Sequence, residues 1–135
     1  MCKSVRGKLY YNERMVVNKV IGELESKYPS KSVFPTETEI ICEIDPSSLH
    51  PDHSVAISVL DKNFPHYHKF TTETYKVIRG VLTLHLGDET VFLHEGESRI
   101  INPGIVHWAE GNETWIECYS TPGWTPEDHI VSIKV

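Results

Sequence analysis

From Glu39 onward the chain is a succession of short segments with a period of two, cut by turn signals. "EIICEI" sets Ile40, Cys42 and Ile44 against Ile41 and Glu43, and "SVAISVL" sets Val55, Ile57 and Val59 against Ala56 and Ser58. Side chains of an extended strand point alternately to its two faces, so each segment predicts a strand with two unlike faces. Further segments follow at "TYKVIRG", "VLTLHLG", "ETVFLHEG", "SRIINPG", "IVHWAEG", "TWIECYS" and "IVSIKV". Turn signals such as "LGDE", "HEGE", "NPG" and "EGNE" separate them at intervals of roughly 8 to 12 residues, the spacing of antiparallel sandwiches and barrels. Many short strands leave many open edges, and folding them into a double-sheet jelly roll limits that exposure. The predicted class is all-β, a jelly-roll barrel over residues 39–135.

The first third differs. Between Asn12 and Lys27, Val17, Val20, Ile21 and Leu24, with Tyr28 beyond, form one helical stripe, with Asn12 as the N-cap and Pro29 as the stop. An amphipathic helix of this kind needs a surface to cover, and residues 1–32 read as a helical extension of the barrel. At 135 residues, 39% of them hydrophobic, the chain predicts one compact domain over 1–135. A net charge of −6 with scattered basic residues argues against a nucleic-acid partner. No apolar run approaches the roughly 20 residues of a membrane span, and the N-terminus lacks the apolar core of a secretory signal. Cys2, Cys42 and Cys118 are odd in number and far apart, with no Cys-x-x-Cys, so a reducing cytoplasm is the expected compartment.

Within "FPHYHKFTTETYKVIRG", His66 and His68 stand two apart and Glu73 follows after a polar connection long enough for the chain to reverse. Two imidazoles on one strand face can bracket a single ion, and a carboxylate at the start of the next strand faces back toward them. Two histidines and one carboxylate leave coordination positions open, as in catalytic metal sites. "NPGIVHW" brings a further histidine, His107, on a later strand.

These residues resemble the cupin superfamily of small jelly-roll barrels. Its first motif is similar to H-x-H, three or four residues, E, six residues, G, and this chain has His66-x-His68, Glu73 and Gly80 at those spacings. A glycine that often precedes that motif is missing from "VLDKNFPHYH". The second motif looks like G, five residues, P-x-G, two residues, H; Gly96, Gly104 and His107 fit, while Asn102 takes the proline position and Pro103 follows it. The resemblance implies that His66, His68, Glu73 and His107 hold a divalent metal ion such as zinc, manganese, iron or nickel, and that the protein pairs as a homodimer.

Strand parity extends the site. If Glu73 points inward, so do Tyr75 and Val77, which makes Tyr75 a candidate hydrogen-bond donor beside the metal. From His107, parity turns Ile105 and Ala109 inward and Val106 and Trp108 outward. Trp115, Glu117 and Tyr119 share a face; if it lines the cavity, Glu117 is the available general base, and if it faces water, Glu117 is a solvated carboxylate. His85 lies opposite Leu82, Leu84 and Leu86, and His50 and His53 sit among loop residues that predict solvent exposure. The segment "STPGWTPEDHI" either packs outside the barrel or folds over its mouth, and only in the second case do Asp128 and His129 matter. Three functions compete for such a site: metal-dependent proton transfer on a small sugar or hydroxy-carbonyl compound, similar to the mannose-6-phosphate and lyxose isomerases among cupins; iron-dependent oxygenation; and small-molecule binding without catalysis.

Overall fold

The computed structural model describes residues 15–132. The predicted N-cap Asn12 and Cys2 lie outside that range, while Met15 and Val16, placed in the first turn by that prediction, are not helical: Val16 is extended and α1 starts at Val17. Within it one helix, α1 (Val17–Lys27), is followed by ten strands. These are β1 (Ser32–Pro35), β2 (Glu39–Asp45), β3 (Ser54–Lys62), β4 (His66–Tyr67), β5 (Thr72–Arg79), β6 (Leu82–Leu86), β7 (Glu89–Leu93), β8 (Ser98–Ile101), β9 (His107–Thr121) and β10 (Ile130–Val131). The segment 32–35, which carries no alternation long enough to read as a strand, is one because β2 offers it an open edge, with Val33 opposite Cys42 and Phe34 opposite Ile41.

The two predicted strands around "EGNE" are a single element, β9. Its first residues, His107 to Glu110, pair with β6 on one side, and His107 pairs with His66 of β4 on the other. After an irregular stretch in which Glu113 takes a positive φ of 50°, residues from Thr114 on lie between β3 and β5. β9 therefore belongs to both halves of a curled ten-stranded sheet: β1-β2-β3-β9-β5-β8 on one side and β7-β6-β9-β4-β10 on the other. The halves close on a core of Leu60, Tyr75, Val77, Leu82, Leu84, Ile101, Ala109 and Ile116, drawn from both. This is the all-β jelly roll expected from the spacing of turns.

A second core lies outside the barrel. The apolar faces of β2 and β3, Ile40, Cys42, Ile57 and Val59, turn outward with Trp115 and are covered by α1 through Val20 and Leu24. The smaller and more polar faces, with Glu39, Ile41, Ala56 and Ser58, are left to line the interior. Helix α1 thus serves as the second layer that an apolar sheet face requires. Its entry is tied by Asp61, whose carboxylate accepts the Met15 N–H at 2.7 Å and the Glu113 N–H at 2.8 Å. Its exit is closed by the Tyr28 N–H on the Leu24 carbonyl at 2.8 Å, ahead of Pro29.

The segment after β9 folds back over the barrel mouth. A short 3₁₀ turn at Pro126–Asp128 brings the Asp128 carboxylate under the β4–β5 connection, where it accepts the N–H groups of Lys69 at 2.8 Å, Phe70 at 3.1 Å and Thr71 at 3.1 Å. β10 then pairs with β4, Val131 opposite His66. Gly123 allows the close approach on the other side: a Cβ there would stand 2.6 Å from Ser47 Cβ and 3.0 Å from the His53 carbonyl oxygen.

Two stability outcomes follow from this packing. Leu24→Ala empties a fully buried position of the outer core and lowers the unfolding free energy by about 2–5 kcal/mol, read as a lower denaturant midpoint at unchanged slope; an unmoved midpoint contradicts the packing. Asp128→Ala strands three backbone donors and costs about 1–3 kcal/mol, with faster amide exchange at Lys69, Phe70 and Thr71 as the local signature.

Candidate metal centre

The four residues come together through three separate pairings. Asn63 clamps the chain ahead of β4 to β9, its Oδ1 accepting the Ala109 N–H at 2.7 Å and its own N–H donating to the Ala109 carbonyl at 3.1 Å. That places His66 directly across from His107. Gly104, at φ 85°, donates its N–H to the His68 carbonyl at 2.7 Å, a conformation that favours glycine and that the shift of proline from 102 to 103 leaves intact. Glu73, at the start of β5, pairs with Ser120 and Ile101 and points into the same space. The ligand atoms of His66, His68, Glu73 and His107 all lie within 4.8 Å of one another, and all four residues are buried.

Each imidazole is aimed by its Nδ1. That atom lies 2.7 Å from the Phe64 carbonyl in His66, 2.8 Å from the Asp128 carbonyl in His68 and 2.9 Å from the Ile105 carbonyl in His107. A carbonyl only accepts, so each Nδ1 carries the proton and each Nε2 presents a lone pair to the common centre. His107 Nε2 and His68 Nε2 each stand 3.1 Å from Glu73 Oε1. The His68 contact is off the line of a hydrogen bond, which leaves a buried nitrogen without a hydrogen-bond partner. Burial alone would raise the Glu73 carboxyl, but hydrogen bonds and positive charge from His107 and His68 in their protonated forms outweigh it and hold the group well below its usual range. Burial, with the neighbouring His107, drops His66 to about 3. Three aimed lone pairs, one anion and an orphaned nitrogen fit a divalent cation. Mixed imidazole and carboxylate donors suit zinc, iron, nickel or manganese.

Beside the cluster lies a cavity of about 380 Å³. Its walls include Glu73, His66 and Tyr75 near the cluster, Glu39, Ser58 and Cys118 from the sheet, and Trp124 and His129 from the folded-back segment. Tyr75 is inward, as parity predicts, and burial pushes its hydroxyl well above its ordinary value, so it stays protonated. Glu39 reaches the cavity with its Oε2 accepting the Ser58 hydroxyl at 2.7 Å. Burial is the main cause that raises its carboxyl, opposed by hydrogen bonds from Ser58 and Asn63 and helped by the charge of Glu73.

Other expectations need correction. Cys118 and Ser120 face the cavity, and the opposite face of β9, with Trp115, Glu117 and Tyr119, does not. Glu117 lies in register with Ile57, whose side chain packs under α1, and with the exposed Lys76, so it is turned away from the cavity. Ile105 precedes β9 and is exposed rather than inward, because strand parity does not extend through the turn. His85 lies on the outer face, stacked on Trp108 at 4.0 Å and 2.8 Å from Glu110. With the 120–130 segment folded over the mouth, His129 does matter: its ring stacks on His66 at 4.3 Å and its Nδ1 lies 3.3 Å from Trp124 Nε1. Glu39 was missed, although its parity with Ile41 and Glu43 marked one face of β2 as partly acidic.

Residues 57–115 match the Cupin domain family. No curated protein matches the chain significantly. Among solved structures, the nucleoside dehydratase Pac13 superposes with a TM-score of 0.69 at 14% identity, over 79% of this chain and 90% of that one. A variant of Streptomyces PAC13 with uridine gives 0.68 at 15% over the same shares. KdgF from Halomonas sp. gives 0.61 at 16%, over 67% of this chain and 87% of that one. Oxalate decarboxylase from Bacillus subtilis gives 0.68 at 14%, over 77% of this chain but 31% of that one, and has Mn(II) centers. At these identities the likeness is one of fold. Residues 57–115, with the two histidine motifs, are thus matched as a cupin domain, and the jelly roll around them has the cupin fold.

Proposed function

We propose that this cupin is a metal-dependent enzyme that moves a proton on a small, uncharged sugar or other hydroxy-carbonyl compound, in the manner of an aldose–ketose isomerase. The observation that carries this reading is Glu39: a cavity-wall carboxyl whose burial raises it toward neutrality, in the same cavity as Tyr75 and the His66/His68/Glu73/His107 cluster. A divalent ion held by those four residues would act as a Lewis acid on a substrate oxygen. Glu39 is then the general base. It removes a proton from the carbon next to the carbonyl and returns it to the neighbouring carbon, so substrate and product have the same composition. The Ser58 hydroxyl fixes the direction of the carboxyl, and Tyr75 donates a hydrogen bond to a substrate oxygen. Among the described residues, those lining the cavity include Glu39, Glu43 and Glu73 and no lysine or arginine. That charge pattern favours an uncharged substrate over a phosphorylated or carboxylated one. The unpaired thiols of Cys42 and Cys118 support action in a reducing cytoplasm.

Replacing both His66 and His68 with Ala removes the bound metal, measured by elemental analysis; retained metal sinks the site. Glu39→Gln keeps the metal and lowers kcat by about 10²–10⁴-fold in a screen of neutral aldoses and ketoses, while Glu117→Gln leaves turnover near wild type. Oxygen consumption without isomerisation would shift the assignment to an oxygenase. The same Glu39→Gln protein has a distinctive stability profile. An acid whose folded pKa is raised favours the fold below its unfolded pKa and loses that contribution as pH rises through the folded one. Thermal melts should therefore show the variant gaining on wild type as pH rises above the ordinary glutamate range of about 4.

A further inference from the structure

We infer that Asp45, His50 and His53 form a second divalent-metal site, outside the barrel, for an ion with imidazole affinity such as zinc. Asp45 ends β2, and the two histidines lie on the loop that leads into β3. None of the three belongs to the buried cluster, yet their ligand atoms also lie within 4.8 Å of one another. The histidines are not free in solvent. Their rings stack at 4.1 Å with 19° between planes, and each side chain keeps only about a third of its surface exposed (31% and 34%).

The stacked rings lie between two carboxylates. On the Nε2 side is Asp45, with Oδ1 2.7 Å from His50 and Oδ2 3.5 Å from His53. On the Nδ1 side is Asp52, with Oδ2 3.2 Å from His53 and Oδ1 3.7 Å from His50. A proton on His53 Nδ1 serves Asp52, which leaves the His53 Nε2 lone pair facing the Asp45 carboxylate with nothing between them. If the His50 proton serves Asp45, His50 Nδ1 is a buried nitrogen without a hydrogen bond. Protonating both rings would satisfy every contact at the expense of two stacked cations. A single ion among Asp45 Oδ, His50 Nε2 and His53 Nε2 would take up the facing lone pairs, with the His53 Nδ1–H kept on Asp52 at 3.2 Å and the His50 Nδ1–H turned to the same carboxylate at 3.7 Å. The buried centre also sets one carboxylate against two Nε2 atoms, there through the single oxygen Glu73 Oε1, with the Nδ1 groups fixed from behind.

The loop that bears this site is already held in place. Gly123 N–H donates to the Pro51 carbonyl at 2.9 Å, the Ser47 hydroxyl to the Trp124 carbonyl at 2.6 Å, and the Trp124 N–H to the Ser54 hydroxyl at 2.9 Å. Three protein ligands leave further positions for water, and the ion would fasten the loop beneath the segment that roofs the cavity.

The test is zinc stoichiometry, by calorimetric titration of chelator-stripped full-length protein and by elemental analysis after dialysis. His50→Ala/His53→Ala, and as a second variant His50→Gln/His53→Gln, should each bind one equivalent fewer than wild type while keeping the wild-type circular dichroism spectrum and the metal lost by His66→Ala/His68→Ala. Equal zinc uptake by wild type and both folded loop variants overturns the proposal. Because the readout is a difference, it stands or falls separately from the buried centre: a wild type that binds one equivalent, lost only in the loop variants, would keep this site and remove the other.

Discussion

Everything in this molecule depends on one strand being shared by two halves of a sheet. β9 gives its first residues to β6 and β4 and the rest to β3 and β5. A strand that is hydrogen-bonded in both halves has no freedom to slide, because a one-residue slip would reverse every side chain on it. His107 stands at the start of this strand, so the ligand most distant in sequence from the His66–His68 pair is also the one most firmly set in register. The irregular stretch at 111–113 is where the strand passes from one half to the other, and Asp61 ties that point to the entry of α1. The outer helix and the inner centre are thus braced at a common place.

Much of the architecture was legible because turn spacing and alternation are local properties. The helix stripe at Val20 and Leu24, the inward Tyr75 and Val77, and the convergence of His66, His68, Glu73 and His107 all follow from periods of 3.6 and 2 and from two motifs. Alternation does not say which face of a strand is inside. In β2 and β3 the more apolar face belongs to the helix, and the barrel interior receives the face with Glu39 and Ser58. Hydrophobicity alone points the other way, because the apolar face finds its partner outside the barrel, in α1. On β9 the same ambiguity placed Glu117 among the catalytic candidates, whereas the cavity wall carries Glu39, Glu43 and Glu73. Neither β1, which exists because a neighbour offers an edge, nor the stacking of His129 on His66 leaves a local signal.

The interior is electrostatically one-sided. Among the described residues, Glu39, Glu43 and Glu73 line it with no lysine or arginine, and the imidazoles are the groups that hold Glu73 ionised. Such a cavity concentrates cations and repels anions at a distance, before any contact with a substrate is made. Helix α1 stands outside this field. Its contribution is to let the sheet keep a small, polar inner face by supplying an apolar partner for the outer one.

Asp128 performs two tasks with one residue: its carboxylate gathers three N–H groups of the β4–β5 connection, and its carbonyl aims the ring of His68, 60 positions earlier. On the ribosome the chain emerges from its N-terminus, so all four buried ligands leave the exit tunnel before the group that orients one of them. The arrangement that aims His68 is therefore complete only once this last segment has been translated.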